Sequence, residues 1–218
     1  AMNGVSLTVD GNNKVISGLQ GSVKQQGIVV ASGQDLTIND ATMQAFTVAL
    51  NNAGTMNLNN ITMTGNDKDI ENSATLNFHG TSSVDTITGT TGTLNVNDTT
   101  SGKLTIKESA TQATINIAEN NTLVNEGNVA VDALNNDGTV TNNKTLTVAT
   151  LDNDGTIYNA SSFTVSGGSN DSTISGTGDM TVAGNFANSN GATITQGNVN
   201  VTAGTLTNDG TITADITN

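Results

Sequence analysis

Four consecutive stretches of this chain repeat every 17 residues: Glu119 to Asn135, Asn136 to Asp152, Asn153 to Ser169 and Asn170 to Phe186. A fixed period of that length is the mark of a solenoid, in which each repeat is one supersecondary unit stacked on the last. Superposing the stretches gives three apolar columns. The first is Leu123, Val140, Ile157 and Ile174; the second is Val129, Leu146, Phe163 and Met180; the third is Val131, Val148, Val165 and Val182. The last two columns lie two residues apart, so both face the same side of one strand.

A short strand with two inward residues cannot bury them alone, but it can when identical strands stack above and below. Each repeat therefore reads as one coil of a parallel β-solenoid. The same pairing runs upstream with a longer coil: Leu36, Met56, Leu76 and Leu94 recur, each followed two residues later by Ile38, Leu58, Phe78 and Val96. Around the columns the pattern is polar. Thr122, Thr139, Thr156 and Thr173 form an outward Thr column, and Asn125, Asn142 and Asn159 form an Asn column outside the three apolar columns, ended by Gly176, whose stacked amides would satisfy turn backbone between coils. A fourth apolar column, Leu134 and Leu151, breaks at Gly168 and Asn185 or shifts by one residue to Phe186. Ala187 to Ser189 reads as a three-residue insertion bulging from a corner. The expectation is one all-β domain over residues 1–218, with about eleven coils of 17–20 residues and a length of roughly 50 Å. Ala1 and Met2 read as a cloning remnant, and the whole chain as a piece of a longer protein.

Composition fits this architecture and excludes several functions. Gly is abundant at 24 residues, while Pro, Cys and Trp are absent. The formal charge is -13, with 19 acidic residues against six Lys and no Arg, which weighs against nucleic acid and against anionic membrane surfaces. No stretch is long and apolar enough to span a bilayer as a helix.

Candidate chemistry is sparse. His79 is the only histidine and reads as part of a surface turn after the Phe78 strand. Asp137, Asp154 and Asp171 fall in one column, with Asn120 above and Asp209 below, and they are candidate Ca²⁺ ligands. Three of the four Asp sit in Asn-Asp-Gly, which reads as a turn in which Asp accepts local backbone hydrogen bonds and Gly takes positive φ. Stacked carboxylates about 5 Å apart repel by roughly 1 kcal/mol per pair even in bulk water. A bound Ca²⁺ would remove that cost. Thr-x-Thr pairs such as Thr139/Thr141 suggest an ice-binding array, but Tyr158 and Ser175 interrupt the second column.

A family resemblance follows from particular segments. The opening SLTVDGNNKVISG, Ser6 to Gly18, resembles the first coil of right-handed, single-stranded parallel β-helices of the pectin-lyase-like superfamily. GIVVASGQDLTINDATM and NNAGTMNLNNITMTGN are similar to passenger domains of bacterial autotransporters, and LTNDGTITADITN is similar to repeats of filamentous-haemagglutinin-type exoproteins. The resemblance implies a bacterial adhesin stalk, secreted or exposed at the cell surface and anchored to the outer membrane in the full-length protein. Such a stalk would act in adhesion, autoaggregation or biofilm formation. Its partners would be identical rods, or host proteins and glycans, met through outer faces such as Thr122, Thr139, Thr156 and Thr173. The alternative is a glycan-cleaving enzyme of the same superfamily. Its lyases use a basic residue, commonly Arg, which this chain lacks, so no catalytic residue is assigned and no cofactor beyond the candidate Ca²⁺ is expected.

Overall fold

Pairs of inward side chains separated by one outward residue build three walls, and these close each turn of chain into a coil. A computed structural model describes residues 6–218, so the reading of Ala1 and Met2 lies outside the described residues. Every named strand but two joins one continuous parallel sheet, the exception being the antiparallel pair Leu19–Gln20 and Val23–Lys24. Along the first wall, ten successive parallel pairings carry the row Leu7 and Val9 down to Leu206 and Asn208. The fold is an all-β parallel solenoid.

The second wall runs from Ala41 and Met43 through Leu104 and Ile106 to Leu123, Val140, Ile157, Ile174 and Ile194. The third runs from Ile28 and Val30 through Leu50, Ile70, Ile87 and Ala110 to the Val129/Val131, Leu146/Val148, Phe163/Val165 and Met180/Val182 pairs. All three columns read from the 17-residue repeat are buried. The Thr column is also in register, and it continues through Thr193 to Thr211.

The Asn column differs from the expectation. Asn125, Asn142 and Asn159 point into the core, fully buried, and are linked amide to amide by Nδ2–H to Oδ1 bonds of 2.7 Å. A buried amide is tolerated only when its donors and acceptors are paired, and stacking identical amides achieves that in a repeating fold. Gly176 interrupts the column without ending it, because Asn159 reaches past it to Gln196 Oε1 at 2.7 Å. A Cβ at Gly176 would stand 2.0 Å from the Asn159 carbonyl oxygen. The third wall repeats the device: Asn52 donates to Asn72, and Asn72 passes Gly89 to reach Gln112 Oε1 at 2.7 Å. A further ladder follows the first wall, buried at Asn136, Asn153, Asn170 and Asn188 and ending at the exposed Asn208. It begins beneath Ile117, which offers no donor, and Asn136 Oδ1 is accordingly unpaired.

Most ladder amides also hold the turn that follows them. Asn52 Oδ1 accepts from Gly54 N–H, Asn125 Oδ1 accepts from Gly127 N–H, and Asn153 Nδ2 donates to the Gly155 carbonyl. In the Asn-Asp-Gly turns at Asn153 and Asn208, the turn-making residue is thus the Asn rather than the Asp. Nor does the Gly take positive φ there. At Gly155 the constraint is close approach, since a Cβ would lie 2.1 Å from the Gly138 carbonyl oxygen of the preceding coil.

The tight corners change place along the rod. Strands Asp35–Gln44 and Thr55–Thr64 run unbroken from the first wall to the second. Strands Asn128–Asn136, Thr145–Asn153 and Ser162–Asn170 instead run from the third wall to the first. The 15-residue strand Lys103–Ile117 passes along all three walls and marks the change. The fourth apolar column shifts by one residue: Leu151 pairs with Gly168 and Gly168 with Phe186, with a register break between Val165 and Gly167. Ala187 and Asn188 occupy regular strand positions, so they do not bulge. The extra residues lie in that register break and in the turn Ser189 to Ala192.

Candidate functional site

The outward residues of the first wall form the most regular surface on the rod. Thr55, Thr75, Thr93, Thr114 and Ala133 make one column, and Asn57, Asn77, Asn95, Asn116 and Asn135 the column beside it. The Asn side chains bond along the rod at 2.7–2.8 Å. Each amide carries two N–H donors and two acceptor lone pairs. Those within the row spend one of each on the ladder, so they hold one orientation while keeping a donor and an acceptor for a partner. Asp35 bounds the face at one end and Asp152 at the other, with no charged residue in either column between them. The sequence reading missed this face, because an 18-to-21-residue spacing hides the Asn column unless the apolar columns are aligned first.

The Thr column of the second wall is half-buried at Thr122, Thr139, Thr156 and Thr173. Beside it run Val124, Thr141, Tyr158 and Ser175, so this face is uneven, and Tyr158 stands out from it 53% exposed.

The acidic corner is built from the turns after the buried Asn136, Asn153 and Asn170. Asp154 and Asp171 come together with Asp152, their carboxylate oxygens lying within 4.8 Å of one another, and all three are exposed. Asp137 stands outside that group, and Ala118, not Asn120, holds the place above it. Desolvation, then the charges of Asp152, Asp171 and Asp137, hold the Asp154 carboxyl above its ordinary range. The Ser189 and Ser169 hydroxyls hold Asp171 below it. These three carboxylates could each offer one oxygen to a cation.

Two other aspartates have structural duties. Asp69 is buried and accepts from Asn66 Nδ2 at 2.7 Å and from the N–H groups of Asp85 and Thr86 in the next coil. Burial raises its pKa against those hydrogen bonds. Asp98 accepts from the Thr100 N–H and hydroxyl, both at 2.8 Å, from the Gly80 N–H at 2.7 Å and from the Ser101 N–H, and is held well below the usual carboxylate range. His79 closes the strand Thr75–His79, paired with Asn59, instead of lying in the turn that follows.

The fold defines the chain as a parallel β-solenoid. No family model matches it, and neither a curated protein nor a solved structure is significantly similar to it.

Proposed function

We propose that this chain is a structural and interaction rod, a segment of a bacterial surface or secreted adhesin of the autotransporter type, acting in adhesion, autoaggregation or biofilm formation. The observation that carries this reading is the uncharged first wall between Asp35 and Asp152, with its hydrogen-bonded Asn column. A rigid polar row loses little side-chain entropy on docking, and an amide presenting both a donor and an acceptor is self-complementary to another amide. Elsewhere the net charge of -13 opposes contact between copies, so a neutral strip is where two rods can approach.

Each contact contributes at most about 1 kcal/mol after water is displaced, so affinity comes from the number of coils engaged. Salt screens the remaining repulsion and strengthens pairing. Sedimentation velocity across protein concentration, in low and physiological salt, should show reversible self-association. Bacteria displaying the full-length protein should settle faster than controls. Monomers at every concentration together with unchanged settling would reject self-association and leave a host protein or glycan as the partner. The reading involves no catalysis, so no turnover of pectin, polygalacturonate or mucin glycans is expected with or without Ca²⁺.

A further inference from the structure

Amide side chains are abundant in this chain, and the coil architecture treats them very unequally. The buried ladder amides are held by neighbours at 2.6–2.8 Å, and each is followed by a residue with its own side chain, such as Ala53, Glu126, Asp137 or Asp154. Asn190 is the opposite case. It lies with Gly191 at the exposed tip of the turn closed by the Ala192 N–H to Ser189 carbonyl bond of 3.0 Å. Among the described residues, no hydrogen bond reaches either the Asn190 side chain or the Gly191 N–H, and no other Asn is followed by Gly; the one further Asn-Gly pair in the sequence is Asn3-Gly4. Gly191 has open space around it.

We infer that Asn190 is a site of spontaneous, site-selective deamidation, with water as the only co-reactant. The Gly191 amide nitrogen gives up its proton to solvent base and attacks Asn190 Cγ. A C–N bond forms, the side-chain amide leaves as ammonia, and a five-membered succinimide remains. Water then opens one of its two carbonyls, which yields aspartate or isoaspartate, and the new acid ionises. The residue after Asn190 must be unhindered and its nitrogen free, and the ring can close only where the backbone can move. A two-residue extension standing outside the sheet ladders meets all three conditions.

The product has a definite place in the surface. The corner column runs Asp137, Asp154, Asp171, then Ser189, then Asp209, by the matched bonds of their backbone N–H groups to the coil above. A carboxylate at position 190 closes the gap beside Ser189 and makes the chain one unit more negative than -13. It adds charge to a corner already lacking lysine, since every Lys lies at or before Lys144.

The test is timed incubation of the intact folded protein at mildly alkaline pH. Ion exchange would resolve acidic species, and peptide mapping with isoaspartyl methyltransferase labelling would locate them. A synthetic peptide spanning Asn185 to Thr195 and the Asn190→Gln protein serve as comparators. Asn190 should convert within about tenfold of the peptide rate, because a loop tip opens at almost no free-energy cost, while ladder amides such as Asn153 should be at least about a hundredfold slower. Both proteins carry Asn3→Gln, which removes the other Asn-Gly pair of the sequence, and Asn190→Gln should then abolish the first acidic species. In that background, conversion at Asn190 slower than this bound, or a first acidic species that survives Asn190→Gln or maps to another Asn, would overturn the inference.

Discussion

Replacing Asn142 by Leu tests whether the buried amide ladders hold the coils together or merely fill space. Leu keeps the same branched heavy-atom skeleton, with two methyl groups in place of the amide oxygen and nitrogen, so the hydrogen bonds are removed and the larger methyls add some overpacking. Asn142 Nδ2 donates to Asn159 Oδ1 at 2.7 Å and to the Ser162 carbonyl at 2.9 Å, and Asn142 Oδ1 accepts from Asn125 at 2.7 Å. These three short bonds at about 1 kcal/mol each, plus ~1–2 kcal/mol for the Asn159 carbonyl left without its short donor, dominate the loss, the longer bond to the Lys144 carbonyl at 3.2 Å adding less. Apolar burial of Leu returns about 1–2 kcal/mol. The net destabilisation is about 3 kcal/mol, which for a chain of this length lowers the melting temperature by roughly 6–12 °C. Thermal and urea melts followed by far-UV circular dichroism measure it, with Thr139→Val on the outer face as a control that should change stability by less than about 0.5 kcal/mol. A Leu variant that melts at or above the parent temperature would refute the ladder argument. Asn142→Asp adds a pH signature. Its buried carboxylate would face the Asn159 and Ser162 oxygens, so its folded pKa is raised and the damage should ease as pH falls.

Val148→Asp puts an unpaired charge at a fully buried position on the third wall and should unfold the rod or cost several kcal/mol, read from the same melts. Asp98, held low by the Thr100 N–H and hydroxyl and the Gly80 N–H, contributes stability that is present above its ordinary value of 3.8 and lost as pH falls through the lowered folded value. Asp98→Asn should flatten that acid limb in melts run as a pH series; an unchanged limb would remove the assignment. Asp154 is raised, by desolvation first, so its ionised form disfavours the fold at neutral pH. Asp154→Asn should raise the melting temperature at neutral pH, and the gain should disappear as pH falls below the ordinary 3.8.

Hydrophobic columns such as Val131 to Val182 were legible in the sequence because a period-two apolar pair repeated at fixed spacing has one physical reading. Polar residues were harder. Asn125 reads as an outward residue by hydropathy, and only the stacking of its equivalents, Asn142 and Asn159, lets it sit inside. The glycine of Asn-Asp-Gly suggests a left-handed turn, whereas the constraint at Gly155 is the backbone of the neighbouring coil, a contact that local sequence cannot reveal. Ala187 to Ser189 looked like an insertion because the register shift before Gly167 moved the frame by one residue upstream of it. Of the acidic corner, Asp154 and Asp171 were visible as a column. Asp152 was not, because it stands on the outer face of the preceding strand and meets them only around the corner.

The long strand Lys103–Ile117 limits how a rod like this can be lengthened or shortened. On one side of it the second inward position is apolar on the first two walls and amide on the third, as in Leu58, Met63 and Asn72. On the other side the pattern is inverted, as in Asn153, Asn142 and Val148. Coils are therefore interchangeable only within their own half. Copying or deleting one 17-residue unit between Asn136 and Asn170 restores amide on amide and Val on Val. Moving the same unit above Lys103 would set its Asn side chains against Ile and Leu, and its Val against Asn. Growth by tandem duplication is open to each half separately, and the strand between them is the seam that recombination has to leave intact.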